Sequence, residues 1–500
     1  MIINPEFTII RSHSEWKSAL IEIERAGICG LRLLASGPDP LRDRIAAIAI
    51  ALGDSTVYAA GCSDLGQGIV SDAAAILEKG NIKKVLYDAK LCITFLRAQE
   101  NRRVDAANIF DLLLASEICW SGYYELAPSF SPKNPWKKRA ADQSLAALAE
   151  RHLGLILSDE EDNGKIEDGP ESAADEADSF CLSQSMEHAA REASVLLPVY
   201  SILSQLLAKN NLNRIADLEF RAVSSLAEME ISGIFLDSLR AREIAEQEEN
   251  EICDILFAIQ DEARRKGFVT VTHDGRRLCY YINPEKQEQV MAFLRKQGYP
   301  LSSTRAEVLS GLAAAGCSFA EEVLLYRQLS HSIMFLGRWL ERVHVRDGRV
   351  HPQYFQIPST TGRISSKKPN AQQIPRKGKD AGAIRGIFMP QAGKRLVKAD
   401  YSTIELRIMA ALSGDKAMQE AFAEGADLHR LTASKISGIP LEEVTDSGRQ
   451  AAKIMNFLLI YGGSAKALQW RSLSDYGIFM SLDEAEEAKE KFFQGYPGVE

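Results

Sequence analysis

The run Arg-Gln-Ala-Ala-Lys-Ile-Met-Asn-Phe-Leu-Leu-Ile-Tyr at 449–461 can hardly be anything but a helix. Its Ala, Lys, Met and Leu residues are strong helix formers, and neither Gly nor Pro interrupts it. Asp446 or Ser447 is placed to cap its start, and Gly462-Gly463 to stop it. Arg449, Lys453, Phe457 and Tyr461 recur every fourth residue. Each such step drifts by about 40° around the axis, so the four share one broad stripe. Two cations in register with two aromatic rings suit a face that grips phosphates at one end and stacks a base at the other. An amphipathic helix with two solvated cations and two core aromatics is the plainer alternative, and this stretch alone does not separate the two.

Charge distribution leans toward the first reading. The net charge of -9 over 500 residues argues mildly against nucleic acid. Yet between Thr361 and Lys398 there are ten Lys or Arg residues and a single acid, Asp380. The acid is concentrated elsewhere, above all in 158–178, which has almost no large apolar side chain and reads as a solvated loop. The length suggests about three domains. No apolar run is long enough to span a membrane, and the N-terminus lacks a signal-peptide layout. The eight cysteines are scattered with no Cys-x-x-Cys pair, which disfavours zinc and disulfide frameworks and points to the reducing cytoplasm.

Residues 1–205 read as an α/β unit. Arg44–Leu52 is an apolar, Ile-rich run expected to be a buried strand, and Val57–Ala60 follows a Gly-Asp turn. Lys83–Asp88 is another expected strand. Ile109–Trp120, Gln143–Gly154 and Glu187–Lys209 show helical spacing. From about 210 to 345 the pattern is mostly helical, with a helix ending at Gly233, a long charged helix after Leu236, and a hairpin at His273–Arg276.

The order of Gly37–Ile45, Tyr87–Leu96, Ile109–Ser116, Ser144–Gly154 and His188–Ala193 resembles the 3′-5′ exonuclease domain of family A DNA polymerases. That resemblance implies a ribonuclease H-like α/β fold. The family's domain holds two metal ions with four carboxylates. Here the matching positions carry Arg32, Leu34 and Cys92, with His188 and Glu192 at the last motif. Three of the four carboxylates are missing, and Arg32 would repel metals. The expectation is a scaffold without nuclease activity.

Further on, Thr360–Lys377 is punctuated by Gly and Pro and reads as a loop-rich segment with hydroxyls, amides and cations for phosphate and minor-groove contacts. It is similar to the family's Thr-Gly-Arg-(Leu/Ile)-Ser-Ser…Pro-Asn-x-Gln-x-Ile-Pro motif, which makes Arg363, Asn370 and Gln373 candidate DNA contacts. Gln373 stands where Asn is usual. Leu396–Asp400 reads as a strand and Ile404–Leu412 as the helix after it. Asp400 to Arg407 resembles motif A, Asp-Tyr-Ser-Gln-Ile-Glu-Leu-Arg, with Thr403 in place of Gln. By that match Asp400 and the Tyr401 carbonyl bind magnesium, and Glu405 lies beneath the incoming sugar and excludes a 2′-hydroxyl. Asp427–Ala433 is similar to the family's Asp-(Ile/Leu)-His-x-x-Thr-Ala, which places His429 at the β-phosphate. The 449–462 stretch resembles motif B, Arg-x3-Lys-x3-Phe-x3-Tyr-Gly. Arg449 and Lys453 would neutralise the β- and γ-phosphates, with Lys453 also protonating pyrophosphate. Phe457 would stack the nucleotide, and Tyr461 with Gly462 would meet the template.

The chain is thus identified as a member of the family A, bacterial polymerase I-like DNA polymerases. The implied plan is a degenerate exonuclease-like domain at 1–205, then an α+β right hand. In it, 206–345 leads into and forms the thumb, 346–415 the palm with motif A, and 416–500 incomplete fingers with motif B. The implied activity is template-directed addition of deoxynucleotides to a primer 3′ end by two-metal phosphoryl transfer with Mg2+, in DNA replication or repair. The implied partners are primer-template DNA and dNTPs, for a cytoplasmic monomer without membrane association or a preceding 5′-nuclease domain. The second carboxylate, from a His-Asp-Glu motif, does not occur after Tyr461, so the chain is expected to be the front part of a longer polymerase. The alternative is a non-catalytic primer-template binder.

Overall fold

The computed structural model describes residues 7–53, 56–120, 124–131, 134–140, 142–157, 177–268, 270–271, 278–279, 281–376, 379–476 and 479–500. The chain divides into two compact units. One is Met1–Asp254 with Gln328–Ala392, the other Ile255–Arg327 with Gly393–Glu500. The expected acidic loop at 158–178 and the turn of the 273–276 hairpin fall almost wholly outside the described residues. The strands flanking that turn, Thr270–Val271 and Leu278–Cys279, do pair antiparallel.

The first unit is built on a six-stranded mixed sheet of β1 (Thr8–Ile10), β2 (Ile28–Ala35), β3 (Ile45–Ala51), β4 (Val57–Gly61), β5 (Lys83–Leu86) and β6 (Ile109–Asp111). The spatial order is β1-β4-β3-β2-β5-β6. β3 runs antiparallel to β2 and β4, and the other pairs are parallel. β3 is apolar throughout because it is covered on both faces: Ala47, Ile48, Ala49 and Ile50 are fully buried. The helix Ala177–Lys209 crosses β2, β3 and β4 with Ala189, Ala190, Ala193 and Leu196 buried. Small side chains permit that approach, and Gly30 does the same from the sheet, since a Cβ there would lie 3.0 Å from Leu196 Cβ. The expected strands at 44–52, 57–60 and 83–88 form. The run expected to be helical from Ile109 instead opens as β6, and its helix begins at Leu112. Parallel pairing with β5 claims Ile109–Asp111, a non-local contact that helical spacing does not register.

In the second unit, Ile255–Arg327 has its own core around Phe293 and Phe319. The regular elements among the described residues of 404–500 are helices, packed around Leu406, Met418, Leu428, Met455, Leu459, Leu468, Phe492 and Tyr496. Truncating Phe492 to Ala would cost about 3–5 kcal/mol in lost burial and a cavity. The key helix runs Asp446–Leu459, and its cap is Thr445, whose hydroxyl accepts the Gly448 N–H, not Asp446 or Ser447. Thr445 has the extended backbone a cap needs, whereas Asp446 is already inside the first turn. The expected stop holds: Gly462 adopts φ +73, a left-handed conformation that L side chains avoid.

The strand expected at Leu396–Asp400 does not form. Leu396 and Val397 are 73% and 85% exposed, and Asp400 lies in irregular backbone. A strand exists through pairing, and no described strand runs beside this segment. The helix after it does form, as Ile404–Ser413.

Candidate functional site

Three pieces of the second unit converge on one cavity of about 640 Å³. The 400–405 turn contributes Asp400, Tyr401 and Glu405, the helix Leu428–Ser437 contributes His429, and the helix Asp446–Leu459 contributes Arg449, Lys453 and Phe457. The first three residues of the stripe are therefore half-buried along the cavity wall rather than solvated. Its last member, Tyr461, is 64% exposed, and its hydroxyl donates to Glu405 Oε1 at 3.2 Å. Thr403, at the base of the turn, holds φ +50, a conformation strained for a β-branched residue.

Charge inside the cavity is arranged, not scattered. Asp427 caps the Leu428–Ser437 helix by accepting the N–H groups of His429 and Arg430. Its other oxygen accepts from Arg449 Nε at 2.6 Å. Burial alone would push the Asp427 carboxyl up. The Arg449 hydrogen bond and the two backbone donors outweigh it and hold the group below its usual range. The His429 ring is buried and stands 5.7 Å from the Phe457 ring. Desolvation, with Arg449 and Lys453 nearby, lowers its pKa against the opposing pull of Asp427, which favours the neutral imidazole. Asn456 Nδ2 lies 2.8 Å from His429 Nδ1. The cavity thus offers two cations, a neutral histidine and an aromatic face at one side, and the Asp400 and Glu405 carboxylates at the other.

Arg363, Asn370 and Gln373 belong to the first unit, so the structure groups them apart from the cavity residues. The segment that carries them is more ordered than a loop: between Arg363 and Asn370, Ser365–Lys367 pairs antiparallel with Gln353–Phe355. The buried Ser366 hydroxyl accepts the Ala371 N–H and donates to the Pro369 carbonyl. Asn370 caps the short turn Ala371–Gln373 through the Gln372 N–H. Arg363 and Gln373 are exposed.

In the first unit, Arg32 on β2 donates to Glu192 of the long helix at 2.6 Å, with 19% and 13% of the two side chains exposed. Cys92 is buried, and burial pushes its thiol up to about 12. Asp88 caps the helix Ala89–Glu100 by accepting the Leu91 N–H. Asp111 accepts from the backbone of Ala89 and Leu113. The remaining carboxylates are committed to an ion pair or to backbone donors. Among the described residues no group of three His, Cys, Asp or Glu side chains could hold a metal ion.

Asp427 and Thr432 fall in a recognised motif but were assigned no role from sequence, and Asn456 was missed altogether. Asp427 had a usable signal, an Asp two residues before the candidate histidine at a helix start. Asn456 lay unremarked between Lys453 and Phe457.

The cavity and its helices fall in a stretch that matches a known family model. Residues 280–500 match DNA polymerase family A, and this part of the chain belongs to that family. Relatives that it matches include DNA polymerase I enzymes. That of Lactococcus lactis subsp. lactis is 33% identical over 328 residues, covering 63% of this chain and 34% of the relative. That of Geobacillus stearothermophilus is 32% identical over 441 residues, covering 83% of this chain and 43% of the relative. The chain therefore spans well under two thirds of their length. A solved structure described as the POL domain of Pol1 from M. smegmatis, in complex with DNA primer-template and dNTP, shares the fold. Its TM-score is 0.76 at 24% identity, over 99% of this chain and 77% of that one. No helix among the described residues is long and apolar enough to cross a membrane.

Proposed function

We propose that this chain carries the nucleotide-binding side of a template-directed DNA polymerase. The observation that carries this reading is the convergence of Asp400, Glu405, His429, Arg449, Lys453 and Phe457 on one cavity inside the family A segment. Arg449 and Lys453 bind the β- and γ-phosphates through charge-assisted hydrogen bonds, and Lys453 delivers a proton to the departing pyrophosphate. Phe457 stacks the incoming nucleotide and Tyr461 the template base. Glu405 fills the space beneath the sugar and rejects a 2′-hydroxyl. Arg363, Asn370, Gln373 and Gly462 contact the primer-template. The domain boundaries proposed are 1–205, 206–345, 346–415 and 416–500, with a working site in a cytoplasmic monomer.

The donor set fits magnesium in part. Asp400 presents a hard carboxylate and Tyr401 a backbone carbonyl at an exposed turn, the type of ligand Mg2+ takes together with substrate phosphates. Two such ions would supply charge neutralisation at the attacking and leaving oxygens. A second carboxylate for them is not assigned within residues 1–500.

The aligned nuclease site is proposed to be silent. The Arg32–Glu192 pair and the apolar Leu34 and Cys92 support that. Catalysis is tested by primer extension with Mg2+ and dNTPs, using the full-length gene product beside an Asp400→Ala variant. Extension that disappears in the variant supports the polymerase. Tight primer-template binding with no extension would replace it with the non-catalytic binder.

A further inference from the structure

His429 does not stand alone in the cavity wall. Behind it runs a chain of buried polar groups from two helices and the residue that ends a third. Asn456 Nδ2 contacts His429 Nδ1 at 2.8 Å. The single Thr432 hydroxyl hydrogen faces two acceptors, the Leu428 carbonyl at 2.7 Å and Asn456 Oδ1 at 3.0 Å. The Tyr496 hydroxyl lies 2.8 Å beyond, on Thr432 Oγ1. Thr432, Asn456 and Tyr496 are each fully buried. Burying three polar side chains in an otherwise apolar core is costly unless all are satisfied, and here each finds a partner in the next.

The chemistry of the terminal contact is restrictive. With the Asn456 amide turned so that Nδ2 faces the ring, that nitrogen donates and His429 Nδ1 accepts, and a neutral imidazole that accepts at Nδ1 carries its proton on Nε2. Nε2 has no hydrogen-bond partner among the described residues, and the ring lines the same cavity as Arg449 and Lys453. We propose that Asn456 is a positioning residue of the triphosphate site: it locks His429 as the Nε2–H tautomer, so that the ring presents a neutral N–H donor to a phosphate oxygen. This rests on the polymerase reading for the identity of the ligand, but not for the state of the ring.

The residue type at 456 matters as much as its place. An Asp there would accept from Nδ1–H and stabilise the imidazolium, adding a third positive charge beside Arg449 and Lys453. An Ala would leave Nδ1 with no partner and the two neutral tautomers close in energy. Thr432 and Tyr496 act one step further back, holding the amide so that its nitrogen faces the ring. The site then combines two cationic side chains, which hold a triphosphate by charge, with one neutral donor whose direction is fixed by the fold.

Long-range proton–nitrogen NMR on the full-length protein labelled with 15N-histidine tests this, because protonated and unprotonated ring nitrogens resonate far apart. There are only eight histidines, and His429→Gln identifies the signal. The expected wild-type spectrum has Nε2 protonated and Nδ1 bare near neutral pH, with Nε2 perturbed when a dNTP is added. Asn456→Ala should give averaged tautomers and about tenfold weaker dNTP binding. Asn456→Asp, which keeps the volume and guards against a folding failure, should place a proton on Nδ1 and move the His429 titration to higher pH. A wild-type ring protonated on Nδ1, or a tautomer unchanged in both variants, overturns the proposal. The tautomer is read without nucleotide or turnover, so failure of primer extension would leave this result standing, and a wrong tautomer would leave the polymerase reading standing.

Discussion

Arg449 Nε donates to Asp427 Oδ2 at 2.6 Å, so the first cation of the cavity stripe is already engaged before any phosphate arrives. The partner is itself a helix cap, which fixes the arginine against a rigid element. A phosphate must compete with that carboxylate for the guanidinium.

Arg449→Ala should weaken dNTP binding by about 10–100-fold, the value of a charge-assisted hydrogen bond. Asp427→Asn should do the reverse. Asn still caps the helix, while loss of a pair that is about one third exposed frees roughly 0.2–1 kcal/mol for phosphate, about a 1.5–5-fold gain in affinity. Fluorescence titration of nucleotide onto the binary DNA complex measures both. Weaker binding in Asp427→Asn would show that the carboxylate orients Arg449 rather than competing for it.

Glu405 accepts from the Tyr461 hydroxyl. Removing the carboxylate by Glu405→Ala should open the space beneath the sugar and lower discrimination against ribonucleotides by about tenfold or more. Tyr461→Phe removes only the hydroxyl and should change discrimination far less. The ratio of kcat/KM for dNTP and rNTP decides it. Equal effects would mean that the hydrogen bond, not the bulk of Glu405, guards the sugar.

The Arg32–Glu192 pair is mostly buried, so breaking it from one side should be severe. Glu192→Gln leaves Arg32 without its counter-charge, at a cost of about 3 kcal/mol. Replacing both by apolar residues of similar size should cost much less. A double-mutant cycle in urea reads the difference, and none of the variants should degrade single-stranded DNA.

Asp111 makes the first unit sensitive to pH. Burial and then the nearby Asp88 push its carboxyl up to about 7, against backbone donors that pull it down. Between the ordinary carboxylate pKa and about 7, the folded state holds a proton that the unfolded chain has lost. Stability therefore falls as pH rises through that window, by roughly 2–3 kcal/mol between about pH 5 and pH 7.5. Glu117, pushed up to about 7 by burial and then by Asp111 and Asp88, adds a slope of the same sign. Asp111→Asn should flatten the dependence. Urea midpoints at the two pH values test it, and an equal slope in the variant would assign the effect elsewhere.

What could be read in advance follows the range of the forces involved. The 446–459 helix and the strands around 45–51 and 83–86 were legible because local spacing and β-branching determine them. The cavity residues were legible because the four-residue period puts Arg449, Lys453 and Phe457 on one wall whatever the helix packs against. The missing strand at Leu396–Asp400 was not, since β-structure depends on a partner that local sequence cannot supply. Thr445 was passed over because Asp446 and Ser447 are equally good caps by type, and only backbone conformation separates them. Asn456 was invisible for a different reason. A lone Asn inside a helix is an ordinary surface residue until the fold buries it against His429 and Thr432.

The Arg32–Glu192 pair also limits what can change around it. A carboxylate introduced at position 32 would face Glu192 with no cation between them, so that substitution would pass through a less stable protein. An Asp introduced at position 92 would put a charge at a fully buried site. Any lineage holding this pair has little access, one substitution at a time, to a four-carboxylate arrangement, and selection on the rest of the molecule can proceed as if that option were closed.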